Sequence, residues 1–158
     1  MNTEWKKYLL SQNITLPDDG SASSSDNEKA NNRDIICDLS GYSLLVVAGD
    51  DAATFMQGQF TNDVDHVDED NSQLNAFCNN KGRMLANFRL FKHQQNYFIS
   101  LKSNLVEASI QHLQSYILRA HVAIQDISEQ LIHLGISGDN AVTLLNPFID
   151  ELKQEVDS

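Results

Sequence analysis

CNNKGRMLANFRLF, from Cys78 to Phe91, and FMQGQFTNDV, from Phe55 to Val64, are the two segments that decide the fold of this chain. The first begins with Asn79-Asn80-Lys81-Gly82, which predicts a tight turn because Asn and Gly tolerate positive φ. After the turn, one side of the chain carries Met84, Ala86, Phe88 and Leu90, and the other carries Arg83, Leu85, Asn87 and Arg89. This period of two predicts a strand with one face on a core.

The other segments predict a mixed α+β domain. Ser43–Ala48 is an apolar run typical of a buried strand, and Asp50 or Asp51 then caps a short helix. Further strands are predicted at 73–78, 97–101, 122–124 and 131–136, and helical spacing predicts a helix through Val106, Ile110, Leu113 and Ile117 with a capping box at Asn104 and Glu107. A last helix is predicted after Gly138-Asp139, through Val142, Leu145 and Phe148. This order indicates an α+β fold with a ferredoxin-like split β-α-β antiparallel sheet and helices on one face.

The chain divides into three predicted regions. Residues 1–16 contain a short helix with Trp5 and Leu9 on one side, and it needs a surface to dock on. Residues 17–33 hold no large apolar side chain and many turn formers, so we interpret them as a flexible linker. The folded domain then covers 34–158.

Composition excludes several classes of function. Eleven basic against 22 acidic residues give a formal charge of −11, which disfavours direct binding of nucleic acid. No apolar run reaches the length of about 18 residues that a membrane span needs, so the expected compartment is the cytoplasm. Cys37 and Cys78 lie far apart without CxxC spacing, the five histidines are scattered, and no metal site is expected.

Two polar sets are candidates for a binding site. The first, at the end of the short helix and in the loop after it, consists of Gln57, Gln59, Asn62 and Asp63. The second, along one face of the strand, consists of Arg83, Asn87 and Arg89. Amides and guanidinium groups can bind a flat heterocycle or a carboxylate, whereas the alternative interpretation is a solvated sheet face and a polar helix end.

The two segments together resemble the YgfZ-type folate-binding proteins, which are relatives of the glycine-cleavage T-protein (aminomethyltransferase). The resemblance rests on MQGQFTNDV, from Met56 to Val64, and on KGR followed by a strand with an aromatic end, and it runs from about Leu39 to Phe148. It implies the fold of the first domain of these proteins and a tetrahydrofolate site to which both polar sets contribute. It also implies support of iron–sulfur enzymes, including tRNA-modifying ones, as partners.

The chain departs from the catalytic relatives at one position. Matched along the strand, Asn87 stands where the T-proteins carry an aspartate, and an amide cannot stabilise a cation or act as a base, although it can bond a pterin edge. The family's KGCYxGQE-like motif is absent from these 158 residues, so the resemblance covers the N-terminal portion and the folate site is expected to be incomplete. A fragment of an aminomethyltransferase and a small interaction domain without a ligand are the alternatives.

Overall fold

The structure is a computed structural model that describes residues 2–11, 34–143 and 145–146. Its helices are α1 (Thr3–Ser11), α2 (Ala52–Gln57) and α3 (Val106–Gln114). Its strands are β1 (Ile35–Asp38), β2 (Tyr42–Ala48), β3 (Gln73–Cys78), β4 (Met84–His93), β5 (Asn96–Lys102), β6 (Ala123–Asp126) and β7 (Leu134–Ser137). Short 3-10 turns occupy Val64–His66 and Ser103–Leu105, and residues 141–143 and 145–146 are helical.

The main sheet has five strands in the order β3-β4-β5-β2-β6, and all its neighbouring pairs are antiparallel. The sheet contains two split β-α-β units, in which another strand lies between the two strands of the unit. The first consists of β2, α2 and β4, and β5 lies between its strands. A second runs from β5 through α3 to β6, with β2 between them. This is the ferredoxin-like order with β3 added at one edge, so the predicted α+β fold class is confirmed.

A single hydrophobic core lies between the sheet and the helices α2 and α3. It joins the inward side chains of the central strands to Met56 of α2 and Leu113 of α3, which are both 0% exposed. Under the β3–β4 edge, the rings of Phe60, Phe77 and Phe88 form an aromatic cluster. The ring centroids of Phe60 and Phe88 lie 4.8 Å apart in an edge-to-face arrangement, which is a favourable geometry for an aromatic pair.

The two faces of β4 follow the predicted alternation. Ala86, Phe88 and Leu90 are buried, whereas Asn87 and Arg89 are exposed on the outer face of the sheet. The predicted turn before β4 is also present, because Gly82 adopts φ +74° and the side chain of Asn79 accepts the backbone N–H groups of Lys81 and Arg83. Met84 deviates from the pattern and is exposed at the start of the strand, where the pairing with β3 shifts register.

A second, two-stranded antiparallel sheet pairs β1 with β7, and we call it the ribbon. The prediction of a strand at 131–136 is corrected to 134–137, and β1 was not predicted. Both strands are four residues long, which is too short for a periodic pattern to stand out from the neighbouring sequence.

Asp34, next to β1, is hydrogen-bonded to Asn140, which follows β7, at one end of the ribbon. Its carboxylate accepts hydrogen bonds from the backbone N–H of Asn140 at 3.0 Å and from the Asn140 side-chain amide at 2.9 Å. The side-chain bond from Asn140, followed by the backbone bond from the same residue, lowers the pKa of the Asp34 carboxyl below its ordinary value. Gly138 passes so close to Asp34 that a Cβ at this position would overlap the aspartate.

We predict that Asp34→Ala loosens the ribbon and leaves the five-stranded sheet intact. Amide hydrogen exchange should accelerate at β1 and β7 and stay unchanged at β4 and β5, because the bonds to Asn140 are lost. Since the folded-state pKa of Asp34 is lowered, its contribution is fully present above the unfolded-state pKa and is lost as the pH falls through the folded-state pKa. Asp139→Ala, at an exposed neighbour, is the matched control. Equal exchange rates in both variants would contradict the role of Asp34.

The residues before α2 pack closely against His121, in the segment before β6. Gly49 has φ +120°, and a Cβ there would overlap the carbonyl oxygen of His121. Asp51 precedes α2 as predicted, but its carboxylate accepts the backbone N–H of His121 at 2.7 Å and makes no capping bond to the helix. Only glycine allows both the positive φ and this close approach of two backbones.

The predicted capping box of α3 is wrong. The helix begins at Val106 after the 3-10 turn, and the residue before it, Leu105, makes no side-chain capping bond. The carboxylate of Glu107 instead accepts the side-chain amide of Gln111 one turn later, at 3.3 Å. The helix ends at Gln114, so Ile117 packs against the core from the loop that follows.

The predicted N-terminal helix is present as α1 and docks on the domain. Leu9 is buried, the indole Nε1 of Trp5 donates to a carboxylate oxygen of Asp38 at 3.0 Å, and the side-chain amide of Asn2 donates to the carbonyl of Glu129 at 2.7 Å. The linker predicted at 17–33 lies outside the described residues, as does Phe148 of the last predicted helix. No helix among the described residues is long and apolar enough to cross a membrane.

Candidate functional site

A groove of about 580 Å³ lies on the outer face of the main sheet, beside the ribbon. Residues from β3, β4, β5 and β2 form its floor, and residues from the β1–β2 connection and from around the start of β7 form one side. Its lining consists of Leu39, Tyr42, Leu74, Asn87, Phe88, Arg89, Phe91, Ser100, Lys102, His133 and Leu134. This is a volume in the range of small-molecule sites.

The strand register places the polar side chains of the floor. Arg89 of β4 lies opposite Leu74 of β3 on one side and Ser100 of β5 on the other. Lys102, two residues beyond Ser100, lies opposite Tyr42 of β2. Because side chains two residues apart share a face, Asn87 also projects from this side of β4.

The cations of the groove form no ion pair within the part of the chain that the structure describes. Among the described residues, no carboxylate lies within 4.0 Å of Arg89 or Lys102, and the lining contains no Asp or Glu. Arg89 is oriented by one hydrogen bond, from Nη1 to the hydroxyl of Ser72 at 3.0 Å. The side-chain amide of exposed Asn87 has no hydrogen-bond partner in the described part of the chain. The groove therefore presents free donors and one free amide to a ligand.

The structure brings two of the seven predicted site residues into this groove, namely Asn87 and Arg89. Arg83 precedes the strand that holds them, and it lies at the exposed turn before β4, outside the lining. Its side chain does not contribute to the floor, and its part in binding remains a prediction.

Of the other four predicted residues, Gln57 ends α2, and Gln59, Asn62 and Asp63 lie in the loop that follows it. Gln57 bridges this loop, because its Nε2 donates to Asp63 at 3.2 Å and its Oε1 accepts the backbone N–H of Val64 at 2.7 Å. Asn62 donates to the carbonyl of Leu74 on β3 at 2.7 Å, and the backbone N–H of Gln59 bonds the carbonyl of Met56. These contacts show a role in loop closure, and a role of the four residues in binding remains a prediction.

Asn75 of β3 was missed as a key residue of this loop. It is 4% exposed, and its Oδ1 accepts the backbone N–H groups of Thr61, Asn62 and Ala76 at 3.1, 3.0 and 2.9 Å. The sequence contained a signal for this role, because Asn75 shares a face of the predicted strand with Phe77. An amide that is buried beside Phe77 must find hydrogen-bond partners.

We predict that Asn75→Ala lowers the free energy of unfolding by about 1–3 kcal/mol, because the backbone N–H of Asn62 loses its acceptor and those of Thr61 and Ala76 each lose one of two acceptors. Chemical denaturation followed by circular dichroism measures the change. Asn80→Ala, at an exposed position of the turn before β4, should stay within about 0.5 kcal/mol of the wild type. A loss at position 75 no greater than that at position 80 would show that the amide does not hold the loop.

Sequence reasoning also missed the part of the groove outside β4. Ser100 and Lys102 alternate with the buried Ile99 and Leu101, so the pattern of β5 contained the signal for them. His133 and Leu134 carried no such signal, because they reach the groove only through the ribbon.

The remaining reactive groups do not form a site in the described residues. Cys37 and Cys78 are free thiols, and no group of three or more His, Cys, Asp or Glu side chains there is arranged to hold a metal ion. In the acidic loop, Asp68 accepts the backbone N–H of Asp70 and the side-chain amide of Asn71, and these two hydrogen bonds lower the pKa of its carboxyl. Asp68 thus stabilises the loop that contains it.

Comparison with known sequences gives one family. Residues 17–157 match the family described as the GCVT N-terminal domain. The chain is 32% identical over 119 residues to the tRNA-modifying protein YgfZ of Hamiltonella defensa, covering 75% of this chain and 35% of that protein. It is 33% identical over 106 residues to the protein of the same name from Photobacterium profundum, covering 67% of this chain and 32% of that protein. The chain thus spans about a third of the length of these curated relatives.

The fold has a counterpart among solved structures. The glycine cleavage system aminomethyltransferase T from Bartonella henselae superposes with a TM-score of 0.65 at 16% identity, covering 73% of this chain and 32% of that one. At this identity the likeness establishes the shared fold.

Proposed function

Since the chain belongs to the GCVT N-terminal domain family, we propose that it is the amino-terminal domain of a YgfZ-type folate-binding protein. In this role it holds tetrahydrofolate or a derivative against the outer face of its main sheet. It supports iron–sulfur enzymes, including tRNA-modifying ones, and is not catalytic by itself. The observation that carries the proposal is the acid-free groove with a free amide, Asn87, on its floor.

The groove suits the chemistry of a reduced folate. The ligand combines flat rings, an amide and carboxylates, and these need apolar or aromatic surface, an amide partner and cations. Phe91 and Tyr42 contribute aromatic side chains to the lining, Asn87 both donates and accepts, and Arg89 and Lys102 are cationic. In this chain the groove is one open wall, so the bound ligand stays partly exposed.

Asn87 argues against aminomethyl transfer by this chain. The transfer needs a carboxylate that stabilises the developing positive charge, and the amide of asparagine carries no charge to do so. No acidic residue of the described groove lining replaces it. The groove can therefore bind the cofactor without the group that the transfer requires.

The proposed partners are proteins. The relatives are named tRNA-modifying proteins, and a chain with a formal charge of −11 is a poor match for the phosphate backbone of a tRNA. We therefore assign it an indirect role, through enzymes that carry iron–sulfur clusters, and place it with them in the cytoplasm.

Calorimetry with 5-formyltetrahydrofolate tests the proposal on this chain and on a full-length relative. We expect both proteins to bind, the relative more tightly because more of the ligand is enclosed. Asn87→Ala and Arg89→Ala in this chain should each weaken binding about threefold to tenfold, as the loss of one hydrogen bond or exposed charge contact implies. Arg119→Ala, at a position outside the groove lining, should leave the affinity unchanged.

Three results of the calorimetry would contradict the proposal. Heat from neither protein would remove folate binding from the proposal altogether. Heat from the relative alone would show that folate binding requires the part of the relative that this chain does not cover. Binding to this chain that is insensitive to both groove substitutions would show that the outer face of β4 is the wrong surface.

A further inference from the structure

The N-terminal helix α1 covers a part of the outer face of the main sheet that lies beside the groove. Leu9 of α1 and Leu44 of β2 are 5% and 4% exposed, and neither belongs to the main hydrophobic core of the described residues. Because Leu44 alternates with the inward-facing Leu45, it points to the outer face. Trp5 and Leu44 line a cavity of only about 10 Å³, which is about the space of one water molecule. The helix therefore packs closely on the sheet.

The cavity under α1 and the groove have two residues in common. Tyr42 and His133 line both of them. The two side chains thus border the helix on one side and the space for a ligand on the other. A change in the position of α1 is therefore transmitted directly to the side of the groove.

One hydrogen bond joins α1 to the β1–β2 connection. The indole Nε1 of Trp5 donates to Oδ1 of Asp38 at 3.0 Å, and the same oxygen accepts the backbone N–H and the hydroxyl of Ser40 at 3.2 and 2.7 Å. Within this connection, the backbone N–H of Tyr42 donates to the carbonyl of Leu39 at 2.8 Å. The bond from Trp5 thus holds a short turn that places Leu39 and Tyr42 along the groove.

A second hydrogen bond joins the start of α1 to the segment before β7. The side-chain amide of Asn2 donates to the carbonyl of Glu129 at 2.7 Å. In the same segment, the carbonyl of His133 accepts the backbone N–H of Leu39 at 3.0 Å, so the two segments that contact α1 are also bonded to each other. One helix thus joins two distant parts of the chain, and these parts together form the side of the groove.

The docking of α1 is weak enough for a ligand to influence it. A helix of nine residues is marginal in water on its own, so it depends on its contacts with the domain. These contacts consist of the buried Leu9, the partly buried Trp5 and the two hydrogen bonds. Elements with so few buried contacts open at a lower free energy than the core strands. We therefore expect α1 to detach before the sheet unfolds.

We propose that α1 positions the side of the groove, so that docking of the helix and binding of the ligand favour each other. Trp5 and Leu9 are positioning residues, because neither lines the groove. They hold in place the residues of the groove side, namely Leu39, Tyr42 and His133. By linkage, the ligand raises the docking equilibrium constant of α1 by the factor by which docking raises the affinity for the ligand. This inference rests on the proposed folate function and adds how the binding site is formed.

Trp5 is the single tryptophan of the chain and therefore reports the docking of α1 directly. With 5-fluorotryptophan incorporated, fluorine-19 NMR of the intact chain measures the docked fraction. Leu9→Asp should detach the helix, because a carboxylate cannot stay in the apolar site of Leu9 without a partner. Leu10→Asp is the matched control, since Leu10 is 53% exposed and the variant has the same net charge. Its helix should stay docked.

Two further readouts connect docking to the groove. In Leu9→Asp, amide hydrogen exchange should accelerate at Leu39 and Tyr42 and stay unchanged at β4 and β5, which also verifies that the domain is folded. The affinity for 5-formyltetrahydrofolate, measured by calorimetry, should fall by about fivefold or more. Saturating ligand should raise the docked fraction of this variant, and Leu10→Asp should behave as the wild type in all three measurements.

The results separate this inference from the proposed function. A detached helix with unchanged exchange at Leu39 and unchanged affinity would overturn the inference and leave folate binding intact. If no ligand binds to the wild-type chain, the proposed function fails for this chain, and the exchange rates at Leu39 and Tyr42 alone decide whether α1 positions the groove side. An equal loss of affinity in Leu10→Asp would show that added charge is the cause, and would contradict positioning by α1.

Discussion

The aromatic cluster of Phe60, Phe77 and Phe88 is the contact on which the rest of the structure depends. It buries the inner face of β3 and β4, with Phe77 at 1% and Phe88 at 3% exposure. Because side chains alternate along a strand, fixing Phe88 inward fixes Asn87 and Arg89 outward. A slip of one residue would bury an arginine and expose a phenylalanine, so the core sets the register and the register sets the groove.

The loop after α2 is closed against the same edge by polar contacts. The side chain of Asn75 accepts hydrogen bonds from the backbone N–H groups of Thr61 and Asn62, and Gln57 bridges the two ends of the loop. These bonds hold Phe60 against Phe77 and Phe88. The segment MQGQFTNDV, Met56 to Val64, thus contributes to the folding of this domain. The side chains of Gln57 and Asn62 bond backbone groups of Val64 and Leu74.

Sequence reasoning identified the family, the fold class and the faces of β4, because each depends on a local pattern or on specific motifs. It failed where structure depends on pairing between distant segments. The ribbon joins residues about a hundred positions apart through strands of four residues, and Asp51 bonds His121 in place of the helix that it precedes. The side of the groove formed by His133 and Leu134 was missed for the same reason, since the ribbon brings these residues to the sheet. Asn87 and Arg89 were found because the alternation of β4 alone determines their direction.

We propose that a reduced folate binds to the outer face of the main sheet. The most direct measurement is a two-dimensional NMR titration of the isotopically labelled chain with 5-formyltetrahydrofolate, which detects weak binding and locates it. We expect saturable shifts of the Asn87 side-chain amide, of the Arg89 Nε–H and of the backbone amides around Ser100 and Lys102. Shifts confined to the loop between Gln57 and Asp63, or no shifts at millimolar ligand, would contradict it.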